Sequence, residues 1–132
     1  MTQLLPVTLC SAAAAAFIGL WLMMRVGKVR TTEKVSIGDG GNDKVIRRMR
    51  AHANFVENTP IVLVLIAVIE LSGKGGAWLP YVAGVYMLGR VAHGMGMDDG
   101  QFGKGRLIGT LTTMLSLLGL AVVAALIAMR VM

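Results

Sequence analysis

Arg50, Asn54 and Glu57 stand four and then three residues apart in Arg50-Ala-His-Ala-Asn54-Phe-Val-Glu57-Asn-Thr-Pro60, at the mouth of an apolar segment that runs through Ile61 to Ile69. At helical pitch this spacing makes one stripe down a single helix face. With a rise of about 1.5 Å per residue, Glu57 sits roughly 10 Å deeper than Arg50, inside hydrocarbon if Arg50 marks its edge. Arg50 is long enough to reach water from there, whereas Asn54 and Glu57 are short and are expected to face protein or a water-filled cleft. A cation, an amide and a carboxylate so placed suit a polar ligand. The bland alternative is a buried salt bridge of Glu57 with Arg50 or with Arg90, which pins the bundle and binds nothing. Pro60 removes a donor and frees the carbonyl of Val56, so a bend beside the stripe is also expected.

Two later segments carry further polar groups. Gly89-Arg90-Val-Ala-His93 sets Arg90 and His93 one helical turn apart. Gly100-Gln-Phe-Gly-Lys104-Gly-Arg106 opens the last apolar run, and its glycines, free amide donors and two cations favour a carboxylate, a phosphate or a thiolate. It has neither the spacing nor the hydroxyl of a Walker A loop, so nucleotide is not expected, and an ordinary basic membrane flank is the plain alternative. His52, two positions from Arg50, points off the stripe. His52, His93, Asp98 and Asp99 supply no close helical ligand pair of the HExxH kind, and no metal is expected.

These residues need helices to position them. The chain is 55% hydrophobic and 15% charged over 132 residues, with a mean hydropathy of +0.70, a composition made for lipid. Thr2 to Met24 and Leu107 to Met129 are free of charged side chains and long enough to cross a hydrocarbon core of about 30 Å. Residues 53–72 and 76–97 have the length but carry polar residues at their ends. The pattern predicts an all-α integral membrane bundle of four helices, about 2–25, 47–72, 76–98 and 105–130, forming a single domain over 1–132. The first run is too long and lacks the basic flank of a signal peptide, so it is expected to remain.

Basic residues concentrate between Arg25 and Arg50 and around Arg90, Lys104 and Arg106, whereas the opposite side has only Lys74 and Arg130. The bias puts both termini outside and the polar stripe toward the cytoplasm. Topology and contact with anionic membrane lipids account for the net charge of +6, and no nucleic-acid motif is present. The single cysteine, Cys10, excludes an intrachain disulfide and is expected to pack within the first helix. Ala12 with Ala16 and Ala121 with Ala125 offer the small-residue spacing of close helix contacts. A protomer this small has little room for an internal pocket, so a homo-oligomer with its site between copies is expected.

The stripe Arg50 to Glu57 with Pro60, then Gly89-Arg90-Val-Ala-His93, then Arg106, together with Gly27-Lys-Val-Arg30 after the first helix, resembles the MAPEG family, the membrane-associated proteins in eicosanoid and glutathione metabolism. That family includes microsomal glutathione transferases and prostaglandin E and leukotriene synthases, and the likeness covers nearly the whole chain. It implies a trimer of four-helix protomers, here in a bacterial inner membrane, with glutathione as cosubstrate in a cleft between neighbours near the cytoplasmic side. By the same likeness Arg50, Asn54, Glu57, His93 and Arg106 match one protomer's glutathione contacts, Arg90 is a further cation for the tripeptide's carboxylates, and Arg30 matches an arginine supplied by the neighbour.

Arg106 matches the catalytic arginine that holds the thiolate. A free thiol of this kind has a pKa of about 8.5, and a fixed cation beside it favours the nucleophilic form. Glu57 would pair with the amino group of glutathione or orient the arginines, and a lipophilic electrophile or hydroperoxide would enter from the bilayer. Met97 stands where several members have a tyrosine, Leu107 where the prostaglandin synthase has a serine, and Ala53 where that branch has a basic residue. The resemblance therefore implies conjugation or peroxidase chemistry of a detoxifying kind rather than isomerisation. A non-enzymatic, lipid-binding membrane adaptor of the same family is the competing class, and a small cation exporter, with a lone intramembrane glutamate and no arginine cluster, is a third.

Overall fold

The computed structural model describes residues 3–98 and 103–132. They form α1 (Pro6–Glu33), α2 (Asp43–Leu71), α3 (Leu79–Gly96) and α4 (Lys104–Ala128), with no strand among the described residues. The all-α expectation holds. α1, α2 and α4 are each long and apolar enough to cross a membrane. α3 is shorter, at 18 residues or about 27 Å, and the polar Arg90 and His93 that dilute its hydropathy are both buried. One face of α3 turns outward, and its other face packs on the neighbouring helices, which keep Arg90 and His93 from lipid.

The end of α1 and the start of α2 lie outside the expected spans for one reason: loss of hydrophobicity ends a membrane span without ending a helix. α1 runs on to Glu33 through residues such as Arg25, Lys28 and Arg30, which are good helix formers in water. Thr31 and Thr32 donate back to the carbonyls of Gly27 and Lys28, both at 3.0 Å. The helix stops where Lys34 takes a left-handed conformation and Val35 N–H bonds Arg30 O at 3.0 Å. α2 starts at Asp43 because Asn42 caps it, accepting from Val45 N–H at 3.2 Å, and Asp43 complements the helix dipole. α2 continues through Pro60 as one helix.

The most extensive packing is between consecutive helices, α1 with α2 and α3 with α4; α2 and α3 also meet, and α1 does not touch α4 among the described residues. The cross-section is therefore a rhombus with α2 and α3 on its short diagonal. Phe55, Val62, Ile66 and Ile69 of α2 fill the centre against Leu79, Ala83 and Tyr86 of α3 and Leu120 of α4. Phe17, Tyr81, Leu88 and Leu115 face outward, as lipid-facing residues do.

α3 and α4 approach on glycine. A methyl group at Gly105 would meet Ala92 O at 2.6 Å, and one at Gly96 would meet the backbone of Gly105 and Arg106. Gly105-Arg-Leu-Ile-Gly109 is thus the small-residue pair that closes a helix contact. Ala12, Ala16, Ala121 and Ala125, expected in that role, are all exposed on the protomer. Cys10 is likewise exposed rather than packed inside. It lines an apolar groove of about 450 Å³ between α1 and α3.

The start of α1 has no cap from its own sequence; α2 supplies one from the other strand of the hairpin. The Glu70 carboxylate accepts from Val7 N–H at 2.9 Å, Thr8 N–H at 2.8 Å and the Thr8 hydroxyl at 2.7 Å. A carboxylate on the amides of a helix N-terminus is a charge-assisted arrangement. Glu70→Ala is expected to lower unfolding stability by about 2 kcal/mol, with Glu70→Gln intermediate because one oxygen remains. Thermal unfolding of the detergent-purified protein reads the series.

Candidate functional site

The stripe on α2 divides between inside and outside. Arg50 and Glu57 are exposed and Asn54 is half-buried. Asn54 faces protein as expected, but Glu57 does not within one protomer: it lies among the outward-facing Val56, Ile61 and Val64. The salt bridge of Glu57 with Arg50 or Arg90 does not form, because the ion pairs among the described residues all lie elsewhere. Arg90 is turned to other partners.

The most buried of the site cations is Arg90, 1% exposed. Its guanidinium donates to Thr113 Oγ1 of α4 at 2.8 Å and to Asn54 Oδ1 of α2 at 2.6 Å, so one side chain of α3 ties together three helices. His93 Nδ1 lies 3.5 Å from the same Nη2, at the long limit of a hydrogen bond. Arg90 Nε is buried with no acceptor. One turn earlier, the Tyr86 hydroxyl meets Thr59 Oγ1 at 2.9 Å, extending the polar column into the core. Neutral oxygens meet the two terminal nitrogens of this cation where a carboxylate would have cancelled its charge, so positive potential persists beside the stripe.

His93 is fixed against α4 by Gly109, whose Cα comes so close that an added methyl would overlap His93 Cβ and meet Gly89 O at 2.6 Å. One turn before Gly109, Arg106 occupies the first turn of α4, half-buried, with its carbonyl accepting from the Thr110 hydroxyl at 2.8 Å. The glycine crossing thus brings His93 and the Arg106 segment to the same end of the bundle, where α4 also presents the amides of its N-terminus. Asp99, Gly100, Gln101 and Phe102 lie outside the described residues.

Arg30 sits apart from this group. It donates to Gly38 O at 2.5 Å and Val35 O at 3.4 Å and touches Met49 Sδ at 3.4 Å, holding the loop between α1 and α2. A polar pocket of about 480 Å³ opens there beside Lys34 and Ser36. To reach a neighbouring subunit Arg30 has to exchange these carbonyls for another acceptor. His52 is half-buried off the stripe. Asp98, weighed as a metal ligand, is instead an arginine hub. It pairs with Arg25 and Arg48, and its carbonyl accepts from Arg47 at 3.2 Å. Arg25 also donates to Gly94 O at 2.8 Å and lies over the Trp21 ring at 4.9 Å. Charge counting along the sequence read these arginines as topology alone; Asp98, an acidic residue just after α3 in a chain rich in cations, was the signal for the hub.

Comparison with known proteins agrees with the residues. The model of the MAPEG family matches residues 8–126. The chain is similar to the inner membrane protein YecN of Escherichia coli K12, 34% identical over 96 residues that make up 69% of this chain and 72% of that one. It has the same identity and coverage to YecN of Escherichia coli O6:H1 strain CFT073. With a four-helix architecture, three membrane-spanning helices and a family match over most of its length, this membrane protein belongs to the MAPEG family.

Proposed function

We propose that the protein is a glutathione transferase of the inner membrane, with glutathione-dependent peroxidase activity on lipophilic hydroperoxides, and that its site is completed between copies of the chain in a homotrimer. Glu57 carries the reading. An ionised group facing hydrocarbon costs about 2.5–3.5 kcal/mol or more, yet this carboxylate stands on an apolar outer face with Arg50 and Asn54 along the same stripe. Cover by a second protomer, with a zwitterionic ligand enclosed between them, removes the mismatch. Glutathione fits the inventory: it has two carboxylates for arginines such as Arg50, an ammonium group for Glu57, amide groups for Asn54 and His93, and a thiol for Arg106. In this reading a neighbour supplies Arg30, which exchanges its loop carbonyls for the ligand, and the positive-inside bias of the basic ends favours a site on the cytoplasmic side.

In this reading the chain supplies no nucleophile of its own. The thiol proton is lost to water, and Arg106 holds the resulting thiolate. Its sulfur then attacks an electrophilic carbon, forming the C–S bond while the leaving group takes the bonding pair. With a hydroperoxide, two glutathiones become the disulfide as the O–O bond breaks to alcohol and water. Proximity and charge stabilisation do the work.

The test is the ultraviolet thiolate band on adding glutathione at neutral pH to the detergent-purified oligomer, followed by consumption of a lipophilic aryl halide. A band together with conjugate is expected. A folded oligomer without either overturns the transferase and leaves a lipid-binding adaptor.

A further inference from the structure

The contact between Arg90 and Asn54 fixes more than packing. A guanidinium has five N–H donors and no acceptor. Asn54 therefore has to present its amide oxygen to Arg90, at 2.6 Å, and its amide nitrogen is turned away. Asn54 is half-buried and shares its helix stripe with the exposed Arg50 and Glu57. The hydrogen bonds of this turn leave that nitrogen without an acceptor among the described residues: the Asn58 amide donates to the backbone carbonyl of Asn54 at 2.8 Å, and Arg90 occupies the side-chain oxygen. An unrestrained asparagine can offer either end to a ligand. This one is held as a donor. The long contact to His93 Nδ1 works in the same sense, because a donor-only neighbour leaves the ring proton on Nε2.

We propose that Arg90 is a positioning residue that sets the polarity of the ligand site through Asn54. Along α2 the outward stripe then reads donor at Arg50, donor at Asn54 and acceptor at Glu57. A peptide ligand has to lie with carboxylate or carbonyl oxygens against Arg50 and Asn54 and its ammonium group against Glu57, and the reverse direction is rejected by a donor facing a donor. That the ligand is glutathione rests on the function proposed above; the fixed amide rests on the Arg90 contacts alone.

Asn54→Asp separates the two. The new carboxylate keeps its partner, because Arg90 pairs with it, but the outward nitrogen becomes an oxygen. In the detergent-purified oligomer the thermal midpoint without ligand is expected to hold or rise, while the KM for glutathione rises about tenfold or more with kcat near the wild-type value. Arg90→Lys, still donor-only, is expected to recover most of the affinity that Arg90→Met loses. Unchanged KM in a stable Asn54→Asp protein overturns the outward donor. A lowered midpoint in Asn54→Asp, matching that of Asn54→Leu, overturns the lock itself. Should wild-type protein bind no glutathione, the functional reading fails, and the two midpoints still decide the lock.

Discussion

Arg106→Ala is expected to lose the glutathione thiolate band and to lower kcat/KM with a lipophilic electrophile by a factor of about 10²–10³, the effect of removing one preorganised group from a developing or held anion. The magnitude follows from placement. Arg106 stands in the first turn of α4, next to the glycine crossing that also fixes His93, so its backbone cannot drift relative to α3. In a water-poor site a fixed cation favours the thiolate far more than it does in bulk water. Arg106→Lys keeps the charge but not the planar fork, and an intermediate loss is expected. The amides at the start of α4 remain in both variants and account for residual activity. Thiolate absorbance across a pH series, with oligomer size checked on the same samples, decides the matter. An apparent thiol pKa that is identical in wild type and Arg106→Ala assigns thiolate stabilisation to another group.

The largest structural effect is expected at Gly109. A methyl group there would overlap His93 Cβ and meet Gly89 O at 2.6 Å and His93 Cα at 2.9 Å. Two of these are backbone atoms and the third is bonded to one, so no rotamer change relieves them. α3 and α4 have to part. Overpacking in well-packed cores costs typically 1–3 kcal/mol, and a backbone crossing belongs at or above the upper end. Gly109→Ala is therefore expected to lower unfolding stability by about 3 kcal/mol and to reduce turnover further by separating His93 from the Arg106 turn. Gly27→Ala is the contrast: a methyl there meets nothing within 4 Å, and alanine in a helix is favoured over glycine by about 0.8–1 kcal/mol. Denaturant unfolding of both variants in one detergent gives the comparison, and equal midpoints would show that the crossing tolerates a side chain.

The four helices were legible because lipid imposes a length and a composition on each span, and the Arg50, Asn54, Glu57 stripe was legible because helical pitch is local. What faces what was not. The bland alternative joined Glu57 to Arg50 or Arg90 by sign of charge, yet Arg90 lies on α3 where it meets Asn54 and Thr113 instead. No spacing within one helix encodes that. Gly105 and Gly109 could have been read: they satisfy the same small-residue rule as the alanine pairs, and in a chain with 17 glycines the pair that leaves no Cβ on either side deserved preference over alanine. The extension of α1 to Glu33 was hidden because a run of cations marks the edge of a bilayer, and the helix simply continues into water. The bond from Glu70 to the start of α1 joins residues 62 and 63 positions apart, beyond any local pattern.

The absence of contact between α1 and α4 bears on how the chain is made. Its broadest helix pairings join neighbours in sequence, so the first hairpin can close as it leaves the ribosome, before the second exists. The first is fastened at both ends by its own residues, Glu70 on Val7 and Thr8 at one and Glu33 with Asn42 and Lys44 at the other. The second is less self-sufficient. α3 carries the guanidinium of Arg90, and half of that group's neutral acceptors, Asn54 on α2, already sit in the hairpin made earlier. Biogenesis thus acquires an order: the early hairpin is the template that makes insertion of the late one tolerable.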